Sequence, residues 1–139
     1  INVALNNTDV KFRLVSLKIN DNNQFKEHIR PNTDSELIIT SRLDNDDAIG
    51  AHYIDEIQKK AKHAKKTPLI INFPIGLFLD AKSSRVYQTH YLSNPFVSLV
   101  EIKTNFQGVL SGNHRLMKDK YASIDMSTDE EFSSYQLAS

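Results

Sequence analysis

One segment organises the architecture of this chain, and it reads Leu37-Ile38-Ile39-Thr40-Ser41-Arg42-Leu43-Asp44-Asn45-Asp46-Asp47-Ala48-Ile49. Its start is continuously apolar, which is typical of a buried interior strand. Three carboxylates follow within four residues, and a helical pattern begins at once. Two carboxylates about 4 Å apart repel by roughly 4 kcal/mol at an effective dielectric near 20. Such a cluster is either fully solvated or neutralised by a cation, and its position at a strand end favours the cation, because α/β sheets bind ligands there.

The composition indicates one ordinary globular domain and excludes several classes of function. The chain has 139 residues, of which 40% are hydrophobic and 24% are charged, enough to bury a core. The 17 basic and 17 acidic residues cancel, which gives no electrostatic reason to expect a nucleic-acid partner. The absence of cysteine excludes disulfides, cysteine zinc sites and thiol nucleophiles. We expect no transmembrane segment and a cytoplasmic location, because no apolar run approaches the ~20 residues of a membrane span and no signal peptide is visible.

The remaining pattern predicts an α/β fold, with a mixed sheet and flanking helices. A helix is expected over residues 47 to 66, with one buried stripe at three- and four-residue spacing: Ile49, Tyr53, Ile57, Ala61 and Ala64. Residues 36–42 are expected to form a central strand, residues 67–73 another, and residues 77–91 an antiparallel hairpin. A strand over residues 10–19 and a short helix over residues 24–29 precede them.

Several chemical motifs can be excluded. An EF-hand loop that begins at Asp44 would place Ile49 where a glycine is required and Asp55 where the closing glutamate belongs. The four glycines do not form a P-loop or a dinucleotide fingerprint. No Gly-x-Ser-x-Gly elbow supports serine-triad chemistry. An Asp-x-Asp pair at the end of a buried strand remains.

Two strings of residues carry a resemblance to a known family. Arg42-Leu43-Asp44-Asn45-Asp46-Asp47-Ala48 is followed by Asn94-Pro95-Phe96-Val97-Ser98-Leu99-Val100-Glu101. Together they resemble the putative rhamnosyl transferase family of glycosyltransferases with the GT-A fold. The resemblance implies metal-dependent transfer of a sugar from a nucleotide-sugar donor to a glycan or lipid-linked acceptor, with Mn²⁺ or Mg²⁺ as cofactor. Rhamnose as the sugar is indicated only by the family name.

The same resemblance implies roles for individual residues. Asp46 would be the most direct metal ligand, and Asp44 would contact the metal or the ribose. Asp47 would either orient these ligands or cap the following helix. Arg42 would reach the donor phosphates or pair with a nearby acid. His114, in Ser111-Gly112-Asn113-His114, would complete the metal site or be an ordinary surface histidine.

Two further readings concern the acceptor. Glu101 is an acid within an apolar segment, so it would be either the catalytic base for the acceptor hydroxyl or an edge-strand glutamate in a salt bridge. His90, beside Tyr87 and Tyr91, would contact a sugar or belong to a hairpin face packed with aromatic residues.

One departure from the family pattern affects the domain prediction. GT-A enzymes begin with a strand, a loop and a helix that grip the nucleotide base, and the 43 residues before Asp44 do not show this pattern. We therefore expect residues 1–126 to be the C-terminal part of a GT-A-like domain, followed by a polar tail at residues 127–139. The alternative function is a non-catalytic, truncated module that binds a divalent metal or a carbohydrate.

Overall fold

The computed structural model of the chain describes residue 16 and residues 22–29, 34–44, 47–126 and 137–138. Its elements in chain order are α1 (Asn22–Ile29), β1 (Leu37–Ser41), α2 (Tyr53–Lys62), β2 (Leu69–Asn72), β3 (Ile75–Asp80), β4 (Arg85–His90), β5 (Ser98–Ile102), a 3₁₀ turn (Val109–Ser111), α3 (His114–Lys120), β6 (Ala122–Asp125) and β7 (Leu137–Ala138). The predicted strand at residues 10–19 lies outside the described residues, apart from Ser16. No helix in the described part has the length and apolar character to cross a membrane.

The main sheet has four strands in the order β1-β5-β2-β6. Strand β5 is antiparallel to both β1 and β2, whereas β6 is parallel to β2. The expected mixed α/β sheet is therefore confirmed, but the strand predicted to be central is not. Among the described strands β1 lies at the edge, and β5 and β2 are interior. Within β1, Ile38 and Thr40 are buried, Ile39 is half-buried and Leu37 is 36% exposed, so its apolar start does not require a central position.

Apolar side chains cover both faces of the interior strands β2 and β5. On one face, the stripe of α2 packs on alternate residues of β2; this cluster contains Tyr53, Ile57, Ala61, Leu69, Ile71, Phe73, Val100 and Met126. On the other face, Val109 and Met117 pack against Ile70, Val97 and Leu99. All four residues of β2 are buried. This explains why β2 reads as a continuous apolar run, as expected for a strand covered on both sides.

Helix α2 begins later than predicted, at Tyr53 instead of residue 47. Gly50 and the turn at residues 51–52 precede it, and glycine is a poor helix former. The residue at the N-cap is His52, which makes no side-chain capping bond, so the reading of Asp47 as the helix cap is wrong. The buried stripe itself is confirmed, since Ile49 and Ala64 also pack against the α2 cluster.

The predicted hairpin is confirmed and forms a second sheet in the order β4-β3-β7. Strands β3 and β4 pair over their whole length, from Ile75 with His90 to Asp80 with Arg85. At the tip, the carboxylate of Asp80 accepts hydrogen bonds from the backbone N–H of Lys82 (3.0 Å) and the hydroxyl of Ser83 (2.5 Å). These bonds lower the pKa of Asp80. Strand β7 lies within the predicted polar tail and pairs with β3 in parallel.

Candidate functional site

A cavity of about 690 Å³ opens where β1 ends, and it is bordered by the loop before β5, the β3–β4 hairpin region and α3. The acidic segment contributes Arg42, Asp44 and Asp47, the loop before β5 contributes residues 93–96, the hairpin region contributes Gly76, Leu77, Thr89 and Tyr91, and α3 contributes Arg115. The antiparallel register of β1 and β5 brings the acidic segment close to the loop before β5. Ser41 pairs with Ser98, and the N–H of Arg42 donates to the carbonyl of Val97 at 3.2 Å. Both sequence motifs therefore meet at one cavity.

Arg42 and Asp44 form a two-bond ion pair within this cavity. Nε of Arg42 donates to Oδ1 of Asp44 at 3.1 Å, and Nη2 donates to Oδ2 at 3.3 Å. Both side chains are partly exposed, so the pair remains accessible to a solute. The backbone N–H of Asp47 donates to the carbonyl of Asp44 at 3.3 Å, which closes a turn and holds both acids on one short loop. Of the two roles considered for Arg42, the structure shows the pairing with a nearby acid.

The Asn94–Phe96 wall, meaning residues 94–96 of the cavity lining, is fixed by buried polar side chains. Asn94 donates from Nδ2 to the carbonyl of Phe73 (2.8 Å), and its Oδ1 accepts the N–H of Phe96 (3.1 Å). Oδ1 of Asn72 accepts the N–H of Asn94 at 3.1 Å. The hydroxyl of Tyr53 donates to the carbonyl of Phe96 at 3.0 Å. These bonds explain what the Asn-Pro-Phe string does in the fold: it builds a rigid wall.

Burial favours the neutral form of the Tyr53 phenol, which can donate a hydrogen bond. Desolvation raises the pKa of Tyr53, and the hydrogen bond with Ser98 lowers it by less. The role of this residue as a support of the cavity was not anticipated from the sequence. Its place in the helical stripe indicated only core packing, and no local signal shows that its hydroxyl reaches a strand 45 residues away.

A second polar network stands behind the wall. Nδ2 of Asn72 donates to Oδ1 of Asp125 (2.8 Å) and to the carbonyl of Leu92 (3.2 Å). Nζ of Lys118 donates to the same two acceptors, at 2.6 Å and 2.9 Å. Burial alone would raise the pKa of Asp125, but the bonds from Lys118 and Asn72, with the nearby charges of Lys118 and His90, lower it overall. The network joins β2, β6, α3 and the loop after β4.

Glu101 lies outside this cavity. Its side chain is 3% exposed, and its two carboxylate oxygens accept the backbone N–H groups of Gln107 and Gly108, each at 2.9 Å. It sits three residues along β5 from Ser98, roughly 10 Å from the strand end that faces the cavity. The salt-bridge reading is not what the structure shows either, because its partners are backbone amides and β5 is interior. Its assignment as the catalytic base stays a prediction.

The loop that contains Gln107 and Gly108 also contacts Thr40 of β1 and Phe25 of α1. The N–H of Val109 donates to Oγ1 of Thr40 at 2.8 Å. Gly108 has a φ of 84°, and a Cβ at this position would lie 2.5 Å from Cε1 of Phe25 on α1. Glycine is therefore required here both by backbone conformation and by the close approach of α1. Together these contacts fix the segment that leads to Arg115.

The structure describes only some of the predicted metal ligands. Asp46 lies outside the described residues. His114 is the first residue of α3, next to Arg115 of the cavity lining, but its side chain is also not among those described. Within the described part of the chain, no group of three His, Cys, Asp or Glu residues is arranged to hold a metal ion. Asp44 and Asp47 nevertheless suit Mg²⁺ or Mn²⁺ chemically, because such ions often bind through one or two carboxylates together with substrate phosphates.

Comparison with known proteins gives the family. No curated protein and no solved structure matches the chain. A family model described as "Putative rhamnosyl transferase" matches residues 4–134, a range that includes both motifs and every residue of the cavity lining. The description names transfer of a glycosyl group. Because the match spans most of the sequence, the chain belongs to the putative rhamnosyl transferase family.

Proposed function

We propose that this chain acts as a metal-dependent glycosyltransferase of the GT-A type, using a nucleotide-sugar donor and a glycan or lipid-linked acceptor. Rhamnose is the sugar that the family description indicates. The observation that supports the proposal is the joining of both motifs at one cavity that holds two arginines and two carboxylates. This combination of charges suits a diphosphate accompanied by a divalent cation.

The two arginines provide the proposed contacts to the diphosphate. Arg42 and Arg115 line the cavity from different elements, and a guanidinium can bind phosphate oxygens through two parallel hydrogen bonds. Arg42 is at present paired with Asp44, and we propose that the diphosphate replaces Asp44 as its partner. The released carboxylate is then available as a ligand for a cation.

The proposed cation ligands are Asp44 and Asp46, with Asp47 beside them and His114 as a further candidate. A bound Mn²⁺ or Mg²⁺ would supply Lewis-acid neutralisation of the negative charge on the departing diphosphate. The chain's own contribution is positional: a backbone hydrogen bond links Asp47 to Asp44, and hydrogen bonds hold the Asn94–Phe96 wall of the cavity.

A base for the acceptor hydroxyl must come within hydrogen-bond reach of it. Among the described acids, Asp44 and Asp47 line the cavity, and Glu101 does not. The geometry therefore favours a structural role for Glu101.

The proposal can be tested by thermal unfolding with UDP, GDP and dTDP, each with and without Mn²⁺. A nucleotide that binds only the folded chain stabilises it by about 2.7 kcal/mol at 100 times its dissociation constant. We expect one nucleotide to raise the melting temperature strongly only when Mn²⁺ is present. Asp44→Asn and Asp46→Asn should abolish this increase, because each removes a charged ligand.

Asp119→Asn is the matched control, since Asp119 is an exposed acid on α3 outside the cavity lining. It should leave the nucleotide effect unchanged. Stabilisation by Mn²⁺ that no nucleotide increases would favour the non-catalytic metal-binding module instead. Failure of every nucleotide and of Mn²⁺ alone to stabilise the chain would indicate a merely solvated acidic loop.

A further inference from the structure

One face of the hairpin carries exposed aromatic rings that lead away from the cavity. Gly76 and Thr89 are cross-strand partners and line the cavity. Because side chains on a strand alternate between faces, the next pair on the same face is Phe78 with Tyr87. Successive pairs on one face are roughly 7 Å apart. We call this surface, formed by Thr89, Phe78 and Tyr87, the aromatic face.

These rings are exposed to solvent. Phe78 is 40% exposed and Tyr87 is 46% exposed, and Tyr91, which lines the cavity itself, is 57% exposed. His90, for which the sequence left open a sugar contact or a hairpin face packed with aromatic residues, lies on the opposite face of β4 from Tyr87, and its role stays a prediction. Exposed aromatic side chains close to a cavity are a common mark of a binding surface.

Polar groups border the aromatic face at both ends. Thr89 lies on the cavity side, and the next pair beyond the rings is Asp80 with Arg85. The Asp80 carboxylate is fixed in place by its bonds to Lys82 and Ser83, and the Arg85 side chain is exposed. The surface thus alternates from polar to apolar and back to polar over roughly 14 Å.

We propose that the aromatic face binds a saccharide ring of the acceptor. In this arrangement the acceptor extends from the cavity along the hairpin. This inference rests on the proposed function, since it makes the saccharide the acceptor of that reaction. A sugar ring presents an apolar face of C–H groups, which the electron-rich face of an aromatic ring attracts. Its hydroxyl groups lie at the ring edge. There the exposed Arg85 side chain can donate hydrogen bonds, and Thr89, whose hydroxyl donates to the carbonyl of Gly76 at 3.3 Å, can accept one.

The size and position of the surface favour a saccharide over a protein. Two aromatic rings with polar borders provide much less than the ~1,000 Å² of a stable protein interface. The surface is also continuous with the cavity through Gly76 and Thr89, so a ligand bound on it can enter the cavity with its reacting end.

Saturation-transfer NMR on the full chain tests this inference. The probes are the methyl glycosides of rhamnose, glucose, galactose and N-acetylglucosamine, with a disaccharide of each. We expect at least one probe to bind and to receive saturation mainly at its ring C–H protons. Tyr87→Thr and Phe78→Thr should each lower the affinity for that probe by about three- to ten-fold, the range expected for one lost aromatic contact.

Val86→Thr is the matched control, because Val86 is 53% exposed on the same strand but on the opposite face. It should bind the probe like the wild type. Tyr87→Phe should also retain binding, since it keeps the ring. Melting temperatures of all four variants establish that each is folded, and the two Thr variants of the aromatic face provide independent tests.

Several results would overturn the inference. One is that no probe binds. Another is that Val86→Thr weakens probe binding as much as the two Thr variants of the aromatic face do. A third is a wild-type dimer that Tyr87→Thr dissociates, which would assign the surface to a second copy of the chain. The nucleotide and Mn²⁺ experiment is independent of these results. A chain that binds nucleotide with Mn²⁺ but binds no saccharide would refute the aromatic face alone and leave the proposed function standing.

Discussion

At the scale of a single residue, Glu101 is a buried acid whose two oxygens bind the amides of Gln107 and Gly108. The sequence identified its unusual character correctly, because an acid within an apolar strand needs a special partner. It could not identify the partner. Backbone amides six and seven residues further along the chain meet the carboxylate only because the loop folds back over the sheet, and the loop sequence carries no sign of that path.

Glu101→Gln separates the structural role from the catalytic one. A glutamine has one acceptor oxygen and places an NH₂ group against the other backbone N–H. We expect the free energy of unfolding to fall by about 1–3 kcal/mol, the cost of a buried hydrogen-bonding group left unsatisfied. Urea unfolding measures this change. Glu36→Gln, at an exposed glutamate, should leave stability unchanged. Loss of transfer activity at wild-type stability would instead support the catalytic assignment.

At the scale of an element, the helices and strands were predictable where local pattern governs and less so elsewhere. The stripe on α2 and the β3–β4 hairpin follow from periodicity and turn residues. The start of α2 at Tyr53, by contrast, depends on the turn around Gly50. Strand β6 was missed because all four of its residues are exposed, so it has no apolar signature. It forms through parallel pairing with β2, which no local pattern reveals.

The network that joins β2, β6 and α3 predicts a response to acid. The pKa of Asp125 is lowered in the folded chain from an ordinary value of 3.8. Its contribution to stability is therefore fully present above that value and is lost as the pH falls through the lower, folded pKa. We expect Asp125→Asn to lose less stability than the wild type between about pH 5 and about pH 3.

Urea unfolding at both pH values measures this difference. Lys118→Met should also reduce the loss, because it removes the main hydrogen-bond donor and cation that lower the pKa of Asp125. An acid sensitivity identical in the wild type and Asp125→Asn would show that the network does not contribute to stability in this pH range.

At the scale of the whole molecule, the two sheets differ in how they are covered. Strands β2 and β5 are buried between the two hydrophobic clusters, whereas five of the six residues of β4 are exposed. The sequence predicted both kinds of strand but not the order β1-β5-β2-β6, since strand order depends on contacts distant in the chain. Arg42 and Asp44 were predictable at the site because they lie in one local motif. Arg115 and the Asn72 network were not, because they come together only through contacts distant in the chain.

Hydrogen exchange should reflect this difference in coverage. We expect the amides of β2 and β5 to exchange only on global unfolding and those of β4 to exchange through a smaller opening, since local stability follows buried apolar contact. Amide exchange followed by NMR or mass spectrometry measures both. Protection of β4 equal to that of β2 would contradict this expectation.

Tyr53 lies on α2, which contributes no residue to the described cavity lining, yet its hydroxyl binds the carbonyl of Phe96 within the wall. Its ring is held against Phe73 with 4.7 Å between the centroids. A solute that pushes the wall outward must therefore either break this bond or carry the helix with it. The cavity wall and a helix outside the cavity are therefore coupled through one buried hydrogen bond.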